Sequence, residues 1–95
     1  MVHYVYIIVC DNYNKSKVYQ GEVYYTGETW NPKERLQAHK SGKYRGSWTS
    51  RNNIVVKRYV YMEEVENKSI ALKREYKIKH NQGLKLRLIK EYSER

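Results

Sequence analysis

Phenylalanine is absent from this chain, and cysteine and proline occur once each. With Cys10 as the only thiol, an internal disulfide is excluded, and so is a zinc site built on two or four cysteines. Long apolar runs are also lacking. The longest, Tyr4 to Cys10, is far too short to span a bilayer, and it has neither the basic flank nor the small-residue cleavage site of a signal peptide. No linker, internal repeat or low-complexity tract interrupts the sequence. One domain over residues 1–95 is therefore expected, with a single modest core, in a soluble intracellular protein with no membrane partner.

Acidic residues are scarce beside basic ones: 10 Asp and Glu against 19 Lys and Arg, for a formal net charge of +9. The excess is uneven. Residues 31–58 carry eight Lys or Arg against Glu34 alone, whereas residues 1–30 sum to −1 and residues 59–95 to +3. A basic middle third suggests a phosphate-rich partner, nucleic acid first. A solvated, solubilising surface is the alternative.

The residues from His3 to Cys10 are dense in β-branched and aromatic types and read as a strand. Both of its faces are apolar, which places it at the centre of a sheet. Asp11 to Ser16 is turn-like. Val18 to Thr26 reads as a second, antiparallel strand with Gly21 as a candidate bulge. Asn31-Pro-Lys-Glu34 has the features of a helix start: a cap, a proline in the first turn, and a carboxylate placed for a capping box. That helix is expected to run to about Lys40. A loop from Lys43 to Asn53 follows, then a strand from Ile54 to Val65. Asn67 or Ser69 caps a second helix to about His80. Asn81-Gln-Gly83 breaks the chain before a third helix from Leu84 to Tyr92. The order β-β-α-β-α-α gives an α+β class, a small three-stranded antiparallel sheet flanked by three helices.

Three groups of residues carry chemical potential. Arg35 and His39 lie four apart and share a helix face with few apolar neighbours. They form either a solvated basic face or a pair that a site uses. Glu75 shares the inward stripe of the second helix with Ala71 and Ile78. A carboxylate there is either ion-paired, to Arg35 or a nearby lysine, or binds a metal. The loop holding Lys43, Tyr44, Arg45, Trp48 and Arg51, with Lys40 before it, interleaves cations and aromatics as phosphate contacts and base stacking require. Trp48 serves equally well as a core anchor. With 11 tyrosines and no phenylalanine, some hydroxyls are expected to be used rather than merely tolerated.

Taken in order, these residues resemble the GIY-YIG nuclease family. Tyr4-Val5-Tyr6 matches its first motif and Tyr25-Thr26-Gly27 its second. Arg35 and His39 match a helix bearing an arginine and a His or Tyr four residues on, and Glu75 matches the metal-binding glutamate of a later helix. The likeness spans Tyr4 to about Ile89 and is greatest to small stand-alone members and to the catalytic domain of branched-DNA nuclease subunits. Tyr4 stands where the first motif has glycine, and Glu28 stands where several members have lysine, adding a carboxylate near the site.

The resemblance implies DNA phosphodiester hydrolysis with one divalent metal, Mg²⁺ or Mn²⁺, and no small-molecule cofactor. Glu75 holds the metal, Arg35 meets the phosphoryl oxygens, Tyr6 acts as general base beside Tyr25, and His39 orients a tyrosine or relays its proton. Free tyrosine has a pKa of about 10, so a base role needs a cation nearby, the metal or Arg35. A cytoplasmic or nucleoid-associated location follows, with a homodimer as an open expectation. A non-catalytic nucleic-acid-binding module of the same fold, and a basic protein-binding domain, are the rival readings.

Overall fold

The computed structural model describes residues 2–13, 19–41 and 54–94. Strands β1 (His3–Tyr13), β2 (Tyr19–Thr29) and β3 (Ile54–Val65) form one antiparallel sheet in the order β2-β1-β3. Helix α1 (Pro32–Ser41) lies between β2 and β3 in sequence, and α2 (Lys68–Lys79) and α3 (Gln82–Ser93) follow β3. This is the expected α+β order.

The central position of β1 follows from its composition. Val5 through Cys10 are all buried, so this strand needs cover on both faces. Tyr6, Ile8 and Cys10 pack with Val23, Tyr25, Tyr59, Met62 and Leu36, the last from α1. Val5 and Ile7 pack on the other face with Tyr61 and with Ala71, Ile78 and Leu88 of α2 and α3. The result is three layers with the sheet in the middle. Each fully buried Ile or Val contributes roughly 1.5–3 kcal/mol, so β1 alone supplies a large share of the hydrophobic stabilisation. Cys10 lies inside the strand rather than at its end, and burial pushes its thiol up to about 11, so it is protonated and inert.

Three boundaries differ from the sequence expectation. The strands of the hairpin are longer: β1 continues to Tyr13, and β2 continues to Thr29, where it pairs with Tyr4. Tyr25-Thr26-Gly27 therefore sits inside β2 and not at its end. Gly21, with φ of 121°, pairs with Asn12 where the β1–β2 register shifts, as its reading as a bulge anticipated. At the other end, only His80 and Asn81 separate α2 from α3, and Asn81 caps the latter. Its side-chain oxygen accepts the Leu84 N–H at 3.0 Å, which places Gly83 in the first turn of α3. Asn67, not Ser69, caps α2, accepting the Ile70 N–H at 3.0 Å. No helix among the described residues is long and apolar enough to cross a membrane.

Candidate active site

The β1–β2 register sets Tyr6 opposite Gly27. A Cβ added at Gly27 would stand 2.4 Å from the Tyr6 hydroxyl oxygen and 2.6 Å from its ring carbon, so any side chain there collides with the phenol. Gly27 is thus required for space, because the Tyr6 ring lies across its backbone. The ring is also held by Tyr59, edge-on at 5.2 Å. The Tyr59 hydroxyl donates to the Pro32 carbonyl and ties the start of α1 to the sheet.

Helix α1 begins at Asn31. Its side-chain oxygen accepts the Glu34 N–H at 3.2 Å, and its amide donates to the Glu34 carboxylate at 3.2 Å. This differs from a capping box, in which the carboxylate takes the cap's backbone N–H. Here that N–H donates to Thr29 Oγ1 at 3.1 Å. So anchored, α1 turns His39 into the interior, 5% exposed, with Nε2 3.2 Å from the Tyr6 hydroxyl. Tyr25 packs edge-on to the His39 ring at 5.4 Å. Arg35, one turn before His39, brings its guanidinium into hydrogen-bonding contact with the Tyr6 hydroxyl. Tyr6, Tyr25, Arg35 and His39 therefore form one cluster on the α1 face of the sheet.

Burial dominates the electrostatics of this cluster. It raises the Tyr6 pKa well above the ordinary tyrosine value, and the opposing pull of Arg35 does not cancel it. Arg35 does favour the phenolate, as expected of a nearby cation, but without the metal its pull is smaller than the effect of burial. Burial likewise lifts Tyr59 to about 12. Burial, and secondarily Arg35, lowers His39 to about 4, so its imidazole is neutral at pH 7. A neutral imidazole facing a neutral phenol shares one proton between two heavy atoms, an arrangement suited to relay.

Glu75 sits on α2, with its side chain 16% exposed, and pairs with Lys79 Nζ at 2.8 Å. This is the lysine ion pair that the sequence left open. Lys79 Nζ in turn lies 5.8 Å from the centre of the Tyr25 ring. Glu75 thus lies on the helix that covers the opposite face of the sheet from α1, and it is its ion-pair partner Lys79 that reaches the Tyr25 ring. Glu28, the extra carboxylate, is turned away: it pairs with His3 Nδ1 at 3.0 Å and is opposite Val5 in register, on the α2 face. Lys40 is exposed at the end of α1. Lys43, Tyr44, Arg45, Trp48 and Arg51 lie outside the described residues.

Among the described residues no three His, Cys, Asp or Glu side chains gather into a cage. Zinc in catalytic sites takes about three protein ligands. Mg²⁺ keeps several waters and binds through about one or two carboxylates plus substrate phosphate. Glu75, a single carboxylate here paired with Lys79, is in keeping with the second pattern rather than the first.

Sequence reasoning passed over Tyr59, Lys79 and Trp30. Lys79 was findable from its i,i+4 spacing to Glu75. Trp30, an indole in a polar stretch directly before the helix cap, was findable as an exception to its surroundings. Tyr59 gave no signal among 11 tyrosines.

A family model described as the GIY-YIG catalytic domain matches residues 2–87. A UPF0213 protein of Syntrophus aciditrophicus is 39% identical over 94 residues, covering 98% of this chain and 95% of the relative. A UPF0213 protein of Staphylococcus haemolyticus is 36% identical over 90 residues, covering 94% and 95%. A solution NMR structure of a UPF0213 protein from Bacillus halodurans is 28% identical, covering 95% of this chain and 84% of that one with a TM-score of 0.43.

Proposed function

We propose that this chain, which belongs to the GIY-YIG nuclease family, hydrolyses phosphodiester bonds in DNA with one divalent metal, Mg²⁺ by preference. The observation that carries the reading is the buried Tyr6–His39 hydrogen bond with the Arg35 guanidinium beside it. Glu75 would hold the Mg²⁺, which would supply Lewis-acid charge to the phosphate and to the oxygen that leaves as the P–O bond breaks. Arg35 binds the phosphoryl oxygens and stabilises the charge that grows on them in the transition state. The Tyr6 oxygen takes a proton from the attacking water as its own proton passes to His39 Nε2, so no free phenolate has to form in a buried site. Negative charge building at the phosphate favours the resulting imidazolium. Tyr25 walls the site and holds His39 and Lys79 in place. For Glu75 to hold a metal, Lys79 would have to give up its ion pair with it.

A panel of duplex, nicked, flap and single-stranded DNA, incubated with Mg²⁺ or with EDTA, tests this. Cleavage of at least one substrate, abolished by EDTA, is expected. Salt-dependent binding of all four with no cleavage of any would instead establish the non-catalytic module, which the Glu75–Lys79 ion pair favours.

A further inference from the structure

A cavity of about 130 Å³ opens on the α1 face, lined by Thr29, Trp30, Asn31, Glu34, Arg35 and Ala38. It shares Arg35 with the Tyr6 cluster, so anything in it lies within one side chain of that cluster. Trp30 forms one wall and is 56% exposed, although its neighbour Thr29 is buried. The space is less than half the lower bound of pockets for drug-sized ligands, roughly 300 Å³. It therefore admits a single ring system rather than a whole nucleotide.

The chemistry of the walls narrows the occupant. A phosphate is disfavoured beside the Glu34 carboxylate. A nucleobase is not: its amino and imino N–H groups suit a carboxylate acceptor, and the Asn31 amide uses only part of the Glu34 acceptor capacity. An exposed indole gives any base a flat face to stack on. Phosphate belongs at Arg35 and a base belongs against Trp30, two adjacent parts of one nucleotide.

We infer that the Trp30–Arg35 cavity holds one unstacked nucleobase next to the phosphate at Arg35, so that the substrate is DNA with an unpaired nucleotide at the cut. A base inside a duplex is stacked on both faces and cannot enter. The inference rests on the nuclease reading above and supplies its substrate class. It makes Trp30 a specificity residue, in contact with the substrate but not with the reacting atoms.

The test is fluorescence anisotropy, without divalent metal and at fixed salt, on a labelled single strand, the same strand with one abasic position, and the matching duplex. Trp30→Ala and Trp30→Phe are compared with the unmodified protein, each checked for an unchanged circular dichroism melt. Because base–aromatic stacking is worth ~1–3 kcal/mol, Trp30→Ala is expected to lose about tenfold in single-strand affinity. Duplex affinity should stay within about twofold, and Trp30→Phe should retain most of the single-strand binding. Equal losses on single strand and duplex, or no loss on either, overturn the inference. Cleavage in Mg²⁺ is scored separately. A protein that cuts DNA yet is indifferent to Trp30→Ala refutes this inference alone. One that binds single strands through Trp30 but never cuts refutes the nuclease reading and leaves the base site standing.

Discussion

The Tyr6 hydroxyl and His39 Nε2 stand 3.2 Å apart in the interior, and burial moves their pKa values in opposite directions, Tyr6 upward and His39 down to about 4. Both shifts favour the neutral form. The pair therefore rests uncharged at pH 7, poised to move a proton rather than to hold a charge.

One consequence is a pH dependence of stability. The His39 pKa is depressed on folding, from about 6.5 to about 4. Between those values the unfolded chain binds the proton and the folded chain does not, so stability rises with pH. The contribution is complete above pH 6.5 and is lost as pH falls toward 4, on the order of 3 kcal/mol in all. Urea unfolding at intervals across that window should show the decline in the wild type and a clearly smaller one in His39→Gln. Parallel curves for the two proteins would remove His39 as the cause.

Gly27→Ala tests whether the Tyr6 ring needs the space over β2. The added methyl meets the Tyr6 oxygen and ring carbon, and Tyr6 is fully buried with Tyr59 against it, so the ring has no easy retreat. Overpacking of this kind costs about 1–3 kcal/mol. A lowered melting temperature is expected, together with a DNA-cleavage rate reduced at least as far as the loss of stability implies. A variant as stable as wild type with Tyr6 unmoved would show that the strand yields instead.

Lys79→Gln removes the cation paired with Glu75, which would compete with a metal held there under the proposed function. Lys79 is well exposed, so the pair is worth only ~0–1 kcal/mol. The Mg²⁺ concentration giving half-maximal cleavage should fall by about two- to fivefold. A rise would mean that Lys79 assists catalysis rather than restraining it.

Thr26 lies inside the second motif but pairs in register with Ile7, on the α2 face away from Tyr6. Its hydroxyl is the one buried side-chain polar atom without a hydrogen-bond partner among the described residues. Thr26→Val should therefore stabilise the protein by ~1 kcal/mol, read as a higher denaturation midpoint. A destabilised variant would reveal a partner for the hydroxyl.

Much of this arrangement was legible before any coordinates. The two apolar faces of His3–Cys10 admitted only a central strand, and the i,i+4 spacing of Arg35 and His39 put both on one helix face. The end of β2 was misjudged because Thr26-Gly27-Glu28-Thr29 has the composition of a turn. It stays extended by pairing with β1 as far as Tyr4 opposite Thr29, with the Tyr6 ring over Gly27, a contact between residues twenty-one positions apart. The sign of the Tyr6 shift was also out of reach. It depends on the balance between desolvation and one guanidinium, which spacing does not encode. The partner of Glu75 was foreseen as a class, a neighbouring lysine, because helix geometry alone brings Lys79 to it.

The account depends most on Glu75 acting as the metal ligand of a cutting site. Single-turnover cleavage by wild type and by Glu75→Gln, each across a Mg²⁺ titration and each paired with a DNA-binding isotherm, probes it most directly. The account predicts that Glu75→Gln binds DNA as tightly as wild type and cuts at no Mg²⁺ concentration. Cleavage by the variant with an unaltered metal dependence would contradict it.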